Sequence, residues 1–308
     1  MEMAKIKEIV AAMTLEEKAG MCSGEDFWHT KAVERLGIPK IMVSDGPHGL
    51  RKQDENGDNP GVNDSIKAVC FPAGCGAATS FNRDLIYEMG KSLGKECQSE
   101  NVSVLLGPAV NIKRSPLCGR NFEYYSEDPY LASEIAASHI NGVQSMGVGT
   151  SIKHFMANNQ ETRRMSVSAS IDERALHEIY LAVFENAIKK SKPWTVMSSY
   201  NKVNGRYVGE NYELMTDFLR KESGFDGFVM SDWGAVGNRV EGVKAGLDLE
   251  MPGSQGVRDA LIVEAVKNGS MEESTLNTAC ERILNIVYKA VENHDSSIKV
   301  SWDDEHDK

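Results

Sequence analysis

Apolar residues along the chain gather into short unbroken runs, separated by longer stretches in which they recur at helical spacing. Six runs stand out: Ile41 to Ser44, Val102 to Leu106, Gly149 to Phe155, Thr195 to Tyr200, Phe228 to Ser231 and Leu247 to Met251. Each is too short for a buried helix and gives way to polar, Gly-rich or Pro-rich sequence, so each predicts a buried strand and then a loop. Between them lie amphipathic helices. Thr14-Leu15-Glu16-Glu17 has the capping-box pattern with helix expected around it. Asp128-Pro129 opens another helix with proline at its first position. Asp172 is the expected N-cap of a helix to Lys190 with Leu176, Ile179, Tyr180, Val183 and Ala187 on its apolar face. Ser270-Met271-Glu272-Glu273 caps a last one, whose face carries Leu276, Cys280, Ile283, Leu284 and Val287.

Strand, loop and helix in repetition predict a parallel sheet with crossover helices. Chemically distinctive residues follow several different strands, and in a barrel all of those ends converge on one face. The expected fold class is therefore α/β, a TIM-like (β/α)8 barrel over residues 1–290. Six strand candidates fall short of eight, so the barrel is expected to be irregular or incomplete. Residues 291–308 are polar and acidic without periodicity, and read as a loose tail or linker.

Charge and composition exclude several function classes. A net charge of −11 disfavours nucleic acid and anionic membrane, both of which need clustered Lys and Arg. No apolar run approaches the ~20 residues of a membrane span, and the mixed Met1 to Val10 segment does not read as a signal peptide. The six cysteines are scattered without a CxxC pair, which disfavours a zinc ribbon or a disulfide framework and reads as reduced thiols in a cytoplasmic protein. The seven histidines are dispersed, with no i,i+4 pair and no HExxH, so no metal is expected. The glycines of Gly142 to Gly149 lead from helix into strand, the wrong order for a phosphate loop, so no nucleotide cofactor is expected either.

Four strand ends carry candidate chemistry. Asp232 follows Phe228 to Ser231 and precedes Trp233, where a sugar could stack on the indole while the carboxylate reaches its anomeric carbon. The same Asp could instead cap the next helix. Lys153 and His154 could hydrogen-bond adjacent hydroxyls of one ring, or be a structural His beside a surface Lys. Arg120, flanked by Gly119, could fork onto vicinal hydroxyls, or pair with Glu123 or Glu127. Asp45 could grip two hydroxyls at the far side of the ring, or form an Asx turn with Gly46 and Pro47.

Taken in order, the motifs resemble glycoside hydrolase family 3. They are Ser44 to Arg51 (Ser-Asp-Gly-Pro-His-Gly-Leu-Arg), Gly107 to Asn111, Gly119 to Glu123 with Ser126 to Pro129, Lys153 to Phe155 with Asn158 to Glu161, Met197 to Asn201, and Ser231 to Trp233. The resemblance runs from about Leu15 to Val287. It implies Asp232 as nucleophile. It further implies that Asp45, Arg51, Arg120, Lys153, His154, Arg164, Met197, Tyr200 and Trp233 line the subsite of the non-reducing terminal sugar. The Tyr200 hydroxyl is expected to orient the Asp232 carboxylate, and either Arg163 or Arg164 could point inward.

The pattern is closest to the β-glucosidase branch, since the stretch after Lys153-His154-Phe155 lacks the His-containing loop of the barrel-only β-N-acetylhexosaminidases. The implied activity is retaining hydrolysis of terminal β-D-glucosyl residues from a β-glucoside or short β-glucan. In two-domain members the acid/base glutamate comes from an α/β sandwich domain beside the barrel. The chain is thus expected to hold the nucleophile and the sugar cradle, with its acid supplied by such a domain in cis or trans. General acid catalysis is worth ~10²–10⁴-fold. A face left open by a missing domain favours a homo-oligomer. Two alternatives remain: a barrel with weak activity of its own using Glu161 or Glu210 as acid, or a non-catalytic sugar-binding barrel.

Overall fold

The computed structural model describes residues 1–53 and 64–301; the last seven residues of the polar tail lie outside the described residues. Its strands are β1 (Val43–Asp45), β2 (Val104–Leu106), β3 (Gly149–Phe155), β4 (Ser168–Ala169), β5 (Thr195–Ser198), β6 (Lys202–Val203), β7 (Arg206–Tyr207) and β8 (Phe228–Met230). The main sheet runs β1-β2-β3-β5-β8, every neighbour parallel and in chain order. A three-stranded sheet, β4-β6-β7, lies apart from it. The run expected at 195–200 leaves the sheet after Ser198.

The run expected at 247–251 is no regular strand. Leu249 bridges to Met230 and Glu250 to Ser23, both in parallel sense. The reason is chemical: the buried carboxylate of Asp248 accepts from Val229 N (2.8 Å), Arg220 (2.6 Å) and Arg282 (3.1 Å), so a side chain takes over part of the ladder. Gly24 then pairs antiparallel with Thr30, and His29 with Met42, which returns the circuit of extended segments to β1. The fold is a TIM-like barrel, irregular where these bridges replace full strands.

Side chains alternate along the strands. Met197, Phe228 and Met230 join Val104 and Leu106 in one apolar cluster, while Ile152, Val196 and Val229 belong to another that includes residues of the surrounding helices. Each fully buried side chain of this size contributes roughly 1.5–3 kcal/mol relative to exposure. Helices Arg83–Ser99 and Pro129–Gln144 pack very closely, because Gly142 has no Cβ: one built there would stand 2.2 Å from the Tyr87 carbonyl oxygen.

Caps decide where helices begin. Thr14 and Glu17 form the reciprocal capping box, Asp128 accepts from Tyr130 N, and Asp172 accepts from Ala175 N. The helix after Asp172 differs from expectation in one respect. Residues Leu176–Leu181 form a π-helical stretch, whose wider turn resets the phase of the apolar stripe and leaves Ile179 exposed while Tyr180, Val183 and Ala187 stay buried. Ser270 does not cap the last helix, Glu273–Asn293. Its hydroxyl donates to the Ala265 carbonyl, and Glu272 is the N-cap without a side-chain bond. That helix buries Leu276, Cys280, Ile283, Leu284 and Val287 and continues past residue 290. Beyond it, Gln98 Oε1 accepts from Asp295 N and Ser99 Oγ from Val300 N, so 294–301 lies against helix Arg83–Ser99.

Candidate active site

Parallel strands deliver the residues that follow them to one end of the barrel. Asp45 closes β1, Lys153 and His154 lie near the end of β3, and Tyr200 and Asp232 follow β5 and β8. The turn after β1 requires glycine at position 46, where φ is +122° and a Cβ would stand 2.1 Å from the Gly49 carbonyl oxygen. That turn brings Arg51 N back to the Asp45 carbonyl at 3.0 Å.

Asp232 is buried, with only 8 % of its surface open. Its Oδ1 accepts from Trp233 N at 2.8 Å. Its Oδ2 is buried without a hydrogen-bond partner among the described residues, and His154 Nε2 stands 3.7 Å away. Burial raises the Asp232 carboxyl above its usual range, against the opposing pull of Lys153, the Trp233 N–H, Arg120 and Tyr200. An orphaned buried carboxylate oxygen is costly unless something occupies its partner position.

Lys153 Nζ donates to Asp45 Oδ1 at 2.8 Å. Burial pushes the Asp45 carboxyl up, but Lys153, the Gly46 N–H and Arg120 outweigh it and hold the carboxyl below its ordinary value. Arg120 donates through Nε to Glu123, one of the two local alternatives for it; burial opposes its charge, and Glu123 keeps it a cation. Burial, with Arg120, Lys153 and Arg164 nearby, drives His154 well below its usual value and leaves the imidazole neutral. Of the two adjacent arginines, Arg163 is exposed, whereas Arg164 stacks its guanidinium 4.4 Å from the centroid of the Tyr200 ring and donates to Glu161 Oε2 at 2.9 Å.

Tyr200 has a main-chain partner that the motifs did not indicate. Its hydroxyl donates to the Trp233 carbonyl oxygen at 2.9 Å, which braces the loop that carries Asp232, and it also stands near enough to the Asp232 carboxylate to oppose the rise that burial causes there. Trp233 Nε1 donates to the Phe27 carbonyl at 3.0 Å, and its ring lies 5.5 Å from Trp28, which builds an aromatic wall. Met197 is buried in the barrel cluster with Leu106 and Met230. Arg51 is exposed, and its main-chain N–H bonds the Asp45 carbonyl.

Sequence reasoning gave no role to three residues that hold this group in place. Asn111 bonds both main-chain polar groups of His154. Tyr124 and Asn158 form a buried pair, with Asn158 Nδ2 donating to Glu161 Oε1 at 3.0 Å. Asn111 and Asn158 sit within recognised motifs, which was the available signal. Among the described residues no cluster of three or more His, Cys, Asp or Glu could hold a metal, and no helix is long and apolar enough to cross a membrane.

Comparison with known proteins bears on this arrangement. Residues 10–286 match the family model described as the glycosyl hydrolase family 3 N terminal domain. The chain is 61% identical over 301 residues to thermostable beta-glucosidase B of Acetivibrio thermocellus, covering 98% of this chain and 40% of that protein. It is 51% identical to an exo-alpha-(1->6)-L-arabinopyranosidase of Bifidobacterium longum, covering 91% and 37%. Among solved structures, beta-glucosidase 3B of Thermotoga neapolitana in complex with glucose superposes with a TM-score of 0.91 at 44% identity, covering 98% of this chain and 45% of that one. The chain therefore spans about two fifths of the length of the curated relatives it matches.

Proposed function

The chain belongs to glycoside hydrolase family 3, as its N-terminal domain, and from that premise we propose that it cleaves terminal β-D-glucosyl residues by a retaining mechanism with Asp232 as nucleophile. The observation that carries the proposal is the Asp232 Oδ2 atom, buried and unpartnered beside a neutral His154. An oxygen in that state has a free lone pair to offer an anomeric carbon. Oδ2 forms the bond to C1 as the C1–O bond to the aglycone breaks, and the leaving oxygen takes a proton from a general acid. Water, giving a proton to the conjugate base of that acid, then attacks C1 as the C1–Oδ2 bond breaks, which returns the carboxylate and releases the sugar with its configuration kept.

The remaining groups supply the cradle. Lys153, Asp45, Arg120 and Arg164 offer donors and acceptors to ring hydroxyls, His154 joins them as a neutral group, and Trp233 presents its indole for stacking. Arg51 and Met197 complete the subsite from the loop after β1 and the barrel interior. The general acid is assigned to a glutamate on an α/β domain outside this chain, in cis or in trans. The in-chain candidates support this choice, because both oxygens of Glu161 are already acceptors for Asn158 and Arg164, and Glu210 Oε1 accepts from Asn238 N. Large exposed side chains such as Leu117, Phe81 and Phe122 suit a face covered by that domain or by a second copy. All six cysteines are free thiols, four of them buried, which suits a reducing compartment such as the cytoplasm.

Leaving-group dependence tests the proposal. An activated aryl β-glucoside needs little protonation and should be turned over slowly, whereas cellobiose should be nearly inert, with the gap at the upper end of ~10²–10⁴-fold. Equal hydrolysis of both would place a working acid within the chain. The relative that acts on L-arabinopyranosides makes the aryl α-L-arabinopyranoside the second substrate to try. Faster turnover of that compound would replace glucose as the preferred sugar.

A further inference from the structure

We infer that Asn111 is a positioning residue that holds the His154 imidazole in its Nδ1–H tautomer, so that Nε2 meets the Asp232 carboxylate as a second acceptor and leaves Oδ2 free. The inference rests on the reading of Asp232 and His154 given above. Asn111 is 1 % exposed and follows β2, where Val110 N donates to the Lys153 carbonyl at 2.8 Å. Its amide bonds His154 on two sides. Nδ2 donates to the His154 carbonyl at 2.9 Å, and Oδ1 accepts from His154 N at 2.8 Å. Those two bonds fix the amide's orientation, since the flipped amide would set donor against donor and acceptor against acceptor.

With Oδ1 so fixed, the imidazole Nδ1 lies 3.3 Å from an acceptor. A neutral imidazole has one N–H, and this contact is favourable only when Nδ1 carries it. Nε2 then keeps its lone pair, 3.7 Å from Asp232 Oδ2. Were the proton on Nε2, a shift of about half an ångström would let the ring donate to Oδ2 and tie up the lone pair that must attack. The tautomer set by Asn111 thus accounts for the unpartnered Oδ2. It also makes Nε2 an acceptor for a substrate hydroxyl rather than a further donor competing for the nucleophile. A residue that only stapled the backbone would have no influence on which ring nitrogen is protonated.

The test is ¹⁵N NMR of the whole chain labelled at histidine, with His154 assigned by its loss in His154→Gln. In the native protein Nδ1 should show the shift of a protonated ring nitrogen and Nε2 that of an unprotonated one. In Asn111→Ala the two signatures should exchange, and covalent labelling by a 2-fluoro-β-glucoside should slow by about 10-fold, the worth of one hydrogen bond. Asn111→Asp keeps an acceptor beside Nδ1 and should leave Nδ1 protonated, which covers the case in which the Ala variant does not fold. A protonated Nε2 in the native protein, an unprotonated Nδ1 in Asn111→Asp, or an unchanged pattern in a folded Asn111→Ala overturns the inference. Because the spectrum is read on the free protein, it decides the tautomer even if no sugar labels Asp232; absence of labelling counts against the glycosidase reading alone.

Discussion

Replacing Lys153 with methionine removes the cation that stands between two carboxylates while keeping most of the side chain's volume. Lys153 is 3 % exposed and bonds Asp45 at 2.8 Å. Stripping one partner from a fully buried pair costs about 3–5 kcal/mol, because the remaining charge is stranded. Here the Asp45 side chain keeps about a third of its surface open (35 %), so water can rehydrate it. The expected loss is therefore smaller, about 2 kcal/mol at pH 7.

The pH dependence has a definite sign. Asp45 titrates below its ordinary value in the fold, so the stability it draws from Lys153 is present above the ordinary carboxylate value and is lost as pH falls through its folded one. The gap between native protein and variant should thus be full near neutrality and close below about pH 4. Urea unfolding followed by circular dichroism at several pH values measures it. The same substitution removes the strongest influence opposing burial at Asp232, so the acid limb of covalent labelling should move to higher pH. A variant as stable as the native protein at pH 7, or a gap that does not shrink in acid, would refute the pairing; an unmoved acid limb would refute the electrostatic link to Asp232.

His139 offers an independent pH effect. Both its ring nitrogens are buried without partners among the described residues, and burial, with His48 nearby, lowers its titration to about 3. The unfolded chain takes up its proton near pH 6.5 and the fold does not, so this residue makes stability fall as pH drops below that point. His139→Leu should therefore lose about 2 kcal/mol less than the native protein between pH 7 and pH 5, measured by urea unfolding; parallel losses would show that His139 does not resist protonation. Gly227 precedes β8, and a Cβ there would stand 1.9 Å from the Trp194 carbonyl oxygen. Gly227→Ala should destabilise the chain by about 3 kcal/mol, the upper end for overpacking, because the obstructing atom is main chain. A melting temperature within a degree or two of the native one would mean that the two strands separate without strain.

Much of the barrel could be read from its buried runs, because a parallel sheet covered on both faces leaves a continuous apolar signal. Five of the six runs form strands of the main sheet. The sixth misled for a physical reason: Leu247 to Met251 is apolar enough for a strand, but Asp248 within it binds Val229 N and two arginines. The hairpin through Gly24 and Thr30 left no run to detect, since its pairing consists of isolated bridges. At the site, the structure gathers Asp45, Arg120, Lys153, His154, Arg164, Tyr200, Trp233 and Asp232 into one set of contacts and charge influences. The supporting shell was legible only as motif membership for Asn111 and Asn158, because Asn111 and Tyr124 act through bonds to main-chain atoms distant in sequence and Asn158 through bonds to the Tyr124 and Glu161 side chains. The Tyr200 bond was not legible. The share of the hydroxyl between the Trp233 carbonyl and the Asp232 carboxylate is set by loop geometry, which no periodicity encodes.

The most direct test of the central claim is intact mass spectrometry after incubation with a 2-deoxy-2-fluoro-β-glucoside bearing a dinitrophenyl leaving group. Such a compound needs no general acid to form the glycosyl-enzyme and traps it once formed. The account predicts one sugar per chain, located by peptide mapping on Asp232, and no adduct on Asp232→Asn. An unmodified native protein, or equal labelling of the Asn variant, would contradict it.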